Sequence, residues 1–184
     1  MNIRIHSLAL LVALATPCIA SATDYAVKAG STLGFTSNFQ GSSFDGRFDK
    51  WTAAISYDTA KLASSRFDVT IDLASAKTGD SDRDNALPGS DFFDVAKYPQ
   101  AHFVSTAFRQ QGNEVIADGM LTLRGVTKPV SLNVAFKPLG NGATLDVSGT
   151  VKRLDFGVGG GQYSDTSVIG ADVKVTAHLV LAPK

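Results

Sequence analysis

Five aspartates, Asp80, Asp82, Asp84, Asp91 and Asp94, stand close together in a chain whose other segments alternate apolar and polar residues. Carboxylates gathered this way could do general acid–base work or hold a calcium ion. A calcium loop, however, needs further oxygen ligands and a terminal glutamate after Asp82-x-Asp84, and neither is present; Arg83 stands among the acids as an internal counter-ion. Capping and solvation account for these side chains more economically. His102 and His178 fall on separate strand segments with no His, Cys or carboxylate at metal-ligand spacing beside them, so solvated or network roles are expected and no metal site. Gly157-Val158-Gly159-Gly160-Gly161 resembles a phosphate-cradling loop in composition, but the residues after it are polar and then strand-like instead of helical, which makes it a strand connection. There is no Gly-x-Ser-x-Gly elbow to start a serine hydrolase. With no catalytic set, the residues point to binding, not to an enzyme.

The acids sit in the one stretch that breaks the alternation, Arg83 to Pro99. Phe92 and Phe93 are adjacent and would point to opposite faces of a strand, while Pro88-Gly89 just before them is a turn signal. A short helical segment around 82–97 is predicted, with Ser90 as N-cap, Asp91 at the positive end of the turn's dipole, and Pro99 forcing Tyr98 to extended geometry. With two phenylalanines to bury and strands on either side, this segment is expected to lie across the opening of a barrel or sheet and close an apolar interior. Arg83, Asp84, Asp91 and Asp94 are its expected polar support.

The flanking elements read as strands. Leu33, Phe35 and Phe39 share one parity; Phe67, Val69, Ile71 and Leu73 alternate with Asp68, Thr70 and Asp72; and the same two-residue period runs through 115–123, 126–136, 145–151 and 173–181. The parity shift between Phe48 and Trp51 predicts a bulge near Asp49-Lys50, with Trp51 turned inward and largely buried. Glycine-bearing breaks at Gln111-Gly112-Asn113, Arg124-Gly125, Leu139-Gly140-Asn141-Gly142 and Gly157–Gly161 favour antiparallel neighbours joined in chain order. About eight such strands satisfy either a closed barrel or a two-sheet sandwich, and the barrel is favoured because it removes exposed edges. Phe35, Phe39, Phe67, Phe92, Phe93, Phe103 and Phe136 are core packing first and ligand contacts second. With Leu121, Leu123, Val134 and Val147 they form the set expected to line the interior.

Residues 1–22 carry one basic residue, Arg4, an apolar run from Leu8 to Ala15, a breaker at Pro17 and the small-x-small sequence Ala20-Ser21-Ala22. This is the pattern of a secretory signal peptide cleaved after Ala22, and the run is well short of the ~20 residues needed to span a bilayer. Residues 23–184 would then form a single domain with no cysteine, since Cys18 leaves with the leader. The whole chain balances 17 Lys+Arg against 17 Asp+Glu, and removing Arg4 leaves one net negative charge. Nothing in that balance favours nucleic acid or an anionic membrane as a partner. Oligomeric state is not marked in the sequence.

Three separated blocks resemble one family. Arg83-Asp84, Leu87, Asp91-Phe92-Phe93-Asp94-Val95, Lys97-Tyr98-Pro99 and Phe103 form the first; Gly119 to Val130, Gly-Met-Leu-Thr-Leu-Arg-Gly-Val-Thr-Lys-Pro-Val, the second; Arg153-Leu154-Asp155-Phe156-Gly157 with Ile169-Gly170 and Val173 the third. In that order they are similar to the YceI family of lipocalin-like periplasmic proteins. The resemblance implies an all-β fold, an eight-stranded antiparallel up-and-down barrel of extended lipocalin type, holding a long isoprenoid or other amphiphilic chain such as a fatty-acyl ligand, with no cofactor. The chain departs from the family pattern at Asn38-Phe39, where many relatives carry histidine, and at Asn85-Ala86-Leu87, where many have His-Leu after Arg-Asp.

Three functions fit these readings. A periplasmic carrier of a hydrophobic small molecule fits an exported, alternating barrel without catalytic residues. A small outer-membrane barrel would also have eight strands and a leader, but would face its apolar side outward and usually end on an aromatic residue, whereas this chain ends Leu181-Ala182-Pro183-Lys184. The third is a packed β-domain acting only through its surface.

Overall fold

The computed structural model describes residues 22–184. The leader and its cleavage site, together with Cys18, therefore lie outside or at the edge of the described residues. Eleven strands alternate with very little helix: β1 (Thr23–Val27), β2 (Thr32–Phe39), β3 (Ser42–Phe48), β4 (Trp51–Tyr57), β5 (Arg66–Asp72), β6 (Ala76–Lys77), α1 (Ser81–Ala86), β7 (Gln100–Gln111), β8 (Glu114–Leu123), β9 (Val126–Leu139), β10 (Gly142–Lys152) and β11 (Asp172–Pro183).

Every strand pairing is antiparallel, and the sheet closes on itself because one edge of β11 pairs both with β2 (Ala177 opposite Leu33) and with β1 (Leu181 opposite Val27). β1 and β2 are thus two halves of one stave, and so are β3 and β4, which pair with β2 and with β1 and β5 respectively. β6 continues beside β3 after β5 ends. Counted as staves, the molecule is a closed eight-stranded, lipocalin-like barrel.

The turns follow from local chemistry. At Arg124-Gly125, φ is 54° and 73°, the paired left-handed geometry that a two-residue hairpin requires and that glycine in the second position makes inexpensive. The parity change near Asp49-Lys50 is a break in the stave. There the Asp49 and Lys50 amides leave the strand ladder and donate to the Ser75 carbonyl at 3.2 Å and to Ser75 Oγ at 3.0 Å. A register shift appears instead between Ser105 and Ala107, where Ser105 Oγ accepts from the Phe67 amide at 2.8 Å.

Two expectations about connections are corrected. The helix fills only the start of the predicted 82–97 span, over Ser81–Ala86, and its N-cap is Asp80 instead of Ser90, its carboxylate accepting from the Arg83 amide at 3.0 Å. Ser90 caps nothing, because Pro88 cannot donate to continue the helix and residues 87–98 fold as successive turns, with the Gly89 carbonyl accepting from the Phe92 and Asp94 amides. The glycine run 157–161 belongs to a long excursion between β10 and β11 containing two 3-10 turns, Arg153–Phe156 and Gly161–Tyr163.

The barrel is filled unevenly. At the end bearing the β7–β8 and β9–β10 hairpins, Ile55, Tyr57, Phe67, Phe108, Ala117, Leu145 and Leu181 are buried together. Tyr57 meets Phe136 with ring centroids 4.9 Å apart, and Phe67 meets Phe108 edge-on at 4.8 Å. Toward the other end the inward residues of the same strands, Leu121, Leu123, Val147 and Val175 among them, are only half-buried because they face a hollow.

Candidate functional site: a capped apolar cavity

The hollow is a cavity of about 240 Å³. Its floor is the aromatic layer at Phe67 and Leu145, its wall the inner face of the staves, and its roof two segments that cross the open end. The first runs from Thr78 to Pro99 and contributes Leu87, Phe92 and Phe93; the second runs from Arg153 to Ala171 and contributes Val158 and Ile169. Ser37, Thr176 and Arg153 are the polar side-chain types among residues that otherwise are aliphatic, aromatic or glycine.

Of the residues singled out from the sequence, Phe35, Phe67, Phe92, Phe93, Phe103, Leu121, Leu123 and Val147 surround this cavity. Phe39 does not: it lies at the end of β2 beside Ile169 and is exposed at 38%. Val134 and Phe136 also lie away from it, in the packed end, where strand parity buries Val134 and sets the half-buried Phe136 against the closed core. Phe44, Phe48 and Trp51 line the cavity and are absent from the expected set, although the parity of β3 and β4 carries them. Trp51 is half-buried, because its inward face meets the hollow instead of packed side chains. Val158 and Ile169 have no periodic signal, since they reach the cavity from an irregular loop.

The roof segments are held by polar contacts. Arg83 does not reach Asp84, Asp91 or Asp94. Its guanidinium lies 4.5 Å from the centroid of the Phe44 ring and 3.7 Å from Asp80, so it pins α1 to β3 by a cation–π contact. Asp84 instead accepts from the Thr78 amide at 2.7 Å and its hydroxyl at 2.8 Å, and these bonds hold its carboxyl below the usual carboxylate pKa. Asp94, with φ of 50°, is buried and lies 3.5 Å from Lys97, while the exposed Asp91 contributes its backbone carbonyl, which accepts from the Gly159 amide at 2.7 Å. That last bond ties the two roof segments together. Arg124 bridges them a second time, donating to the carbonyls of Ser90 and Gly157, and Phe92 packs on Tyr163 at 5.1 Å.

Arg153 is the anchor of the second segment. It is 4% exposed, and its five N–H groups reach the carbonyls of Val158, Gly159, Tyr163, Ile169 and Gly170. No carboxylate pairs with it among the described residues, and burial draws its pKa below the usual arginine value. The loop is therefore wound around one guanidinium, whose fork geometry allows so many carbonyls to converge.

The two histidines among the described residues lie on the outer face, each against one aspartate: His102 Nε2 is 2.7 Å from Asp68, and His178 Nδ1 is 2.6 Å from Asp146. The His102 bond and then Arg66 lower the Asp68 pKa. Among the described residues, no three His, Cys, Asp or Glu side chains converge on a common point.

A closed eight-stranded barrel with one packed end and one capped apolar hollow defines the class of protein. The chain belongs to the YceI-like domain family, whose model matches residues 25–181. It is 39% identical over 166 residues to a UPF0312 protein of Pseudomonas savastanoi pv. phaseolicola, covering 84% of this chain and 86% of the relative. Among crystal structures it is similar to Burkholderia cenocepacia BcnA, with a TM-score of 0.80, 35% identity, and 84% and 99% of the two chains covered. A polyisoprenoid binding domain from Saccharophagus degradans shares the fold at a TM-score of 0.65 and 22% identity, covering 90% of this chain and all of that one.

Proposed function

We propose that the protein is a non-catalytic carrier that holds a long apolar or amphiphilic chain inside its barrel and acts after export to the periplasm. The observation that carries this reading is the 240 Å³ cavity, with its nearly unbroken apolar lining and a roof that is separate from the packed core. An apolar cavity of about 150 Å³ is enough for a benzene ring, so on the same scale this space takes on the order of ten carbon-sized groups, a segment of a longer hydrocarbon chain. A linear polyisoprenoid or a fatty-acyl chain is of this kind, and the three motif blocks shared with the YceI family support that choice. With so few polar side chains at the cavity, the hydrocarbon belongs inside and any charged head group toward the roof segments.

The outer wall supports a carrier more than a bilayer-spanning barrel. It presents Asp68, Thr70, His102, Arg109, Asp118, Ser131, Asn133, Asp146, Lys174 and His178, several of them in charge pairs, where a membrane barrel would present an apolar band. Export rests on the leader-like residues 1–22. The test is mass spectrometry of an organic extract of protein expressed with its own leader and purified without detergent. A long-chain amphiphile in near-equimolar amount is expected. An empty protein that also takes up no such chain when offered one would overturn the reading.

A further inference from the structure

Two aromatic residues of the cavity wall lie flat on glycines of neighbouring strands. Phe35 on β2 stands directly opposite Gly46 on β3. A methyl group built on Gly46 would come within 2.7 Å of Phe35 Cε2, and its three nearest atoms all belong to that ring. Across the barrel Phe103 lies on Gly119 in the same way, with Cε2 at 2.6 Å from such a methyl, though there the Val104 carbonyl is equally close. A glycine inside a strand weakens it and commonly marks a place where another group must come close.

We infer that Gly46 sets the length of chain the cavity accepts, by giving the Phe35 ring a recess in the wall and so keeping the lumen open. This rests on the binding reading above. Gly46 lies within β3 and has no left-handed φ, so alanine is compatible with its backbone. The three atoms nearest the added methyl all belong to the ring, so the ring is what it meets first. Phe35 is already packed on Phe48, with centroids 5.4 Å apart, and Phe48 in turn meets Phe93 of the roof at 6.2 Å. The cavity is the open space left to the ring, and Gly46→Ala converts that space into phenyl volume. At Gly119 the same substitution would strike backbone, so it is the poorer test.

Displacement of N-phenylnaphthylamine fluorescence by straight-chain saturated alcohols of increasing length reads the gauge. Gly46→Ala should lower the longest alcohol accepted, with affinity falling about fourfold for each methylene excluded. Phe35→Ala should raise it. The double variant should behave as Phe35→Ala, because the methyl acts only through the ring. An unchanged length limit in Gly46→Ala, or an effect that persists without the ring, would overturn the inference. A second readout needs no ligand: in the wild type the Gly46 Hα resonances should be shifted upfield by the ring current of Phe35 and return to ordinary strand values in Phe35→Ala. Absence of that shift overturns the gauge whatever the protein binds. A normal shift with no dye or alcohol bound by any variant would instead remove the binding reading, and the gauge's role with it.

Discussion

Replacing Arg153 with methionine keeps much of the side chain's volume and removes every donor. Five hydrogen bonds from a charged group, at about 1.5–3 kcal/mol each, would amount to roughly 7–15 kcal/mol gross. Against this stands the cost of holding an ion out of water, still several kcal/mol after relaxation. Removing one side of a buried charged network usually costs about 3–5 kcal/mol net, and that is the expected size here. The loss should be local. β10 and β11 pair from Ala143–Leu181 to Lys152–Asp172 without help from the loop, so the barrel can stay closed while residues 157–170 detach. Native-state hydrogen exchange separates these outcomes. The amides of Val158, Gly159, Tyr163 and Gly170, each bonded within or beneath the roof, should lose up to two to three orders of magnitude in protection, while β7–β10 keep theirs. Arg153→Lys, with three donors instead of five, should fall between. Equal loss of protection in loop and strands would make Arg153 a general core residue, and no loss in the loop would refute the clamp.

Other outcomes rest on the same geometry. Phe93→Ala, at a ring 8% exposed and packed with Phe48, Leu73 and Val158, should cost about 3–5 kcal/mol in chemical denaturation, and the half-buried Phe92→Ala roughly half that, with faster release of bound chain in both. The folded-state pKa of Asp84 is depressed, so its contribution is complete above about pH 4 and is lost as pH falls through the lower folded value. Exchange of the Thr78 amide should accelerate in that acid range, and Asp84→Asn should remove the pH dependence. Trp51, half-buried against the cavity, should shift its emission to the blue when a long-chain alcohol enters; an unchanged spectrum on saturation would place the alcohol elsewhere. N-terminal sequencing of protein recovered from the periplasmic fraction should begin at Thr23, and a chain beginning at Met1 or Cys18 would contradict the leader reading.

Strand periodicity made the strands and their inward face legible, because a single buried face forces a two-residue alternation that survives in Phe67–Leu73 and Val173–Leu181; closure into a barrel, which a sandwich would match in period, was implied by the three motif blocks. The same rule located most of the cavity wall but not its depth. Phe136 and Leu123 have the same inward character, yet one lies in the packed end and the other at the hollow, and only the stagger of the staves distinguishes them. The roof was legible as an interruption, through Pro88-Gly89 and the paired phenylalanines. Its hydrogen bonding was not, because backbone carbonyls carry no sequence signature: of the neighbouring acids Arg83 meets only Asp80 and also lies over Phe44, while the five-carbonyl shell of Arg153 and the Arg124 bridge depend on segments far apart in the chain.

Intermolecular nuclear Overhauser effects between a bound long-chain alcohol and the protein's methyl groups test the central claim most directly. Contacts from the hydrocarbon to Leu121, Leu123, Val147 and Val175, with none to Leu139 on the exposed hairpin at the packed end, are expected of a chain held in the capped cavity. Contacts confined to Leu139 or to outer-face residues, or no contacts from a protein saturated with alcohol, would contradict it.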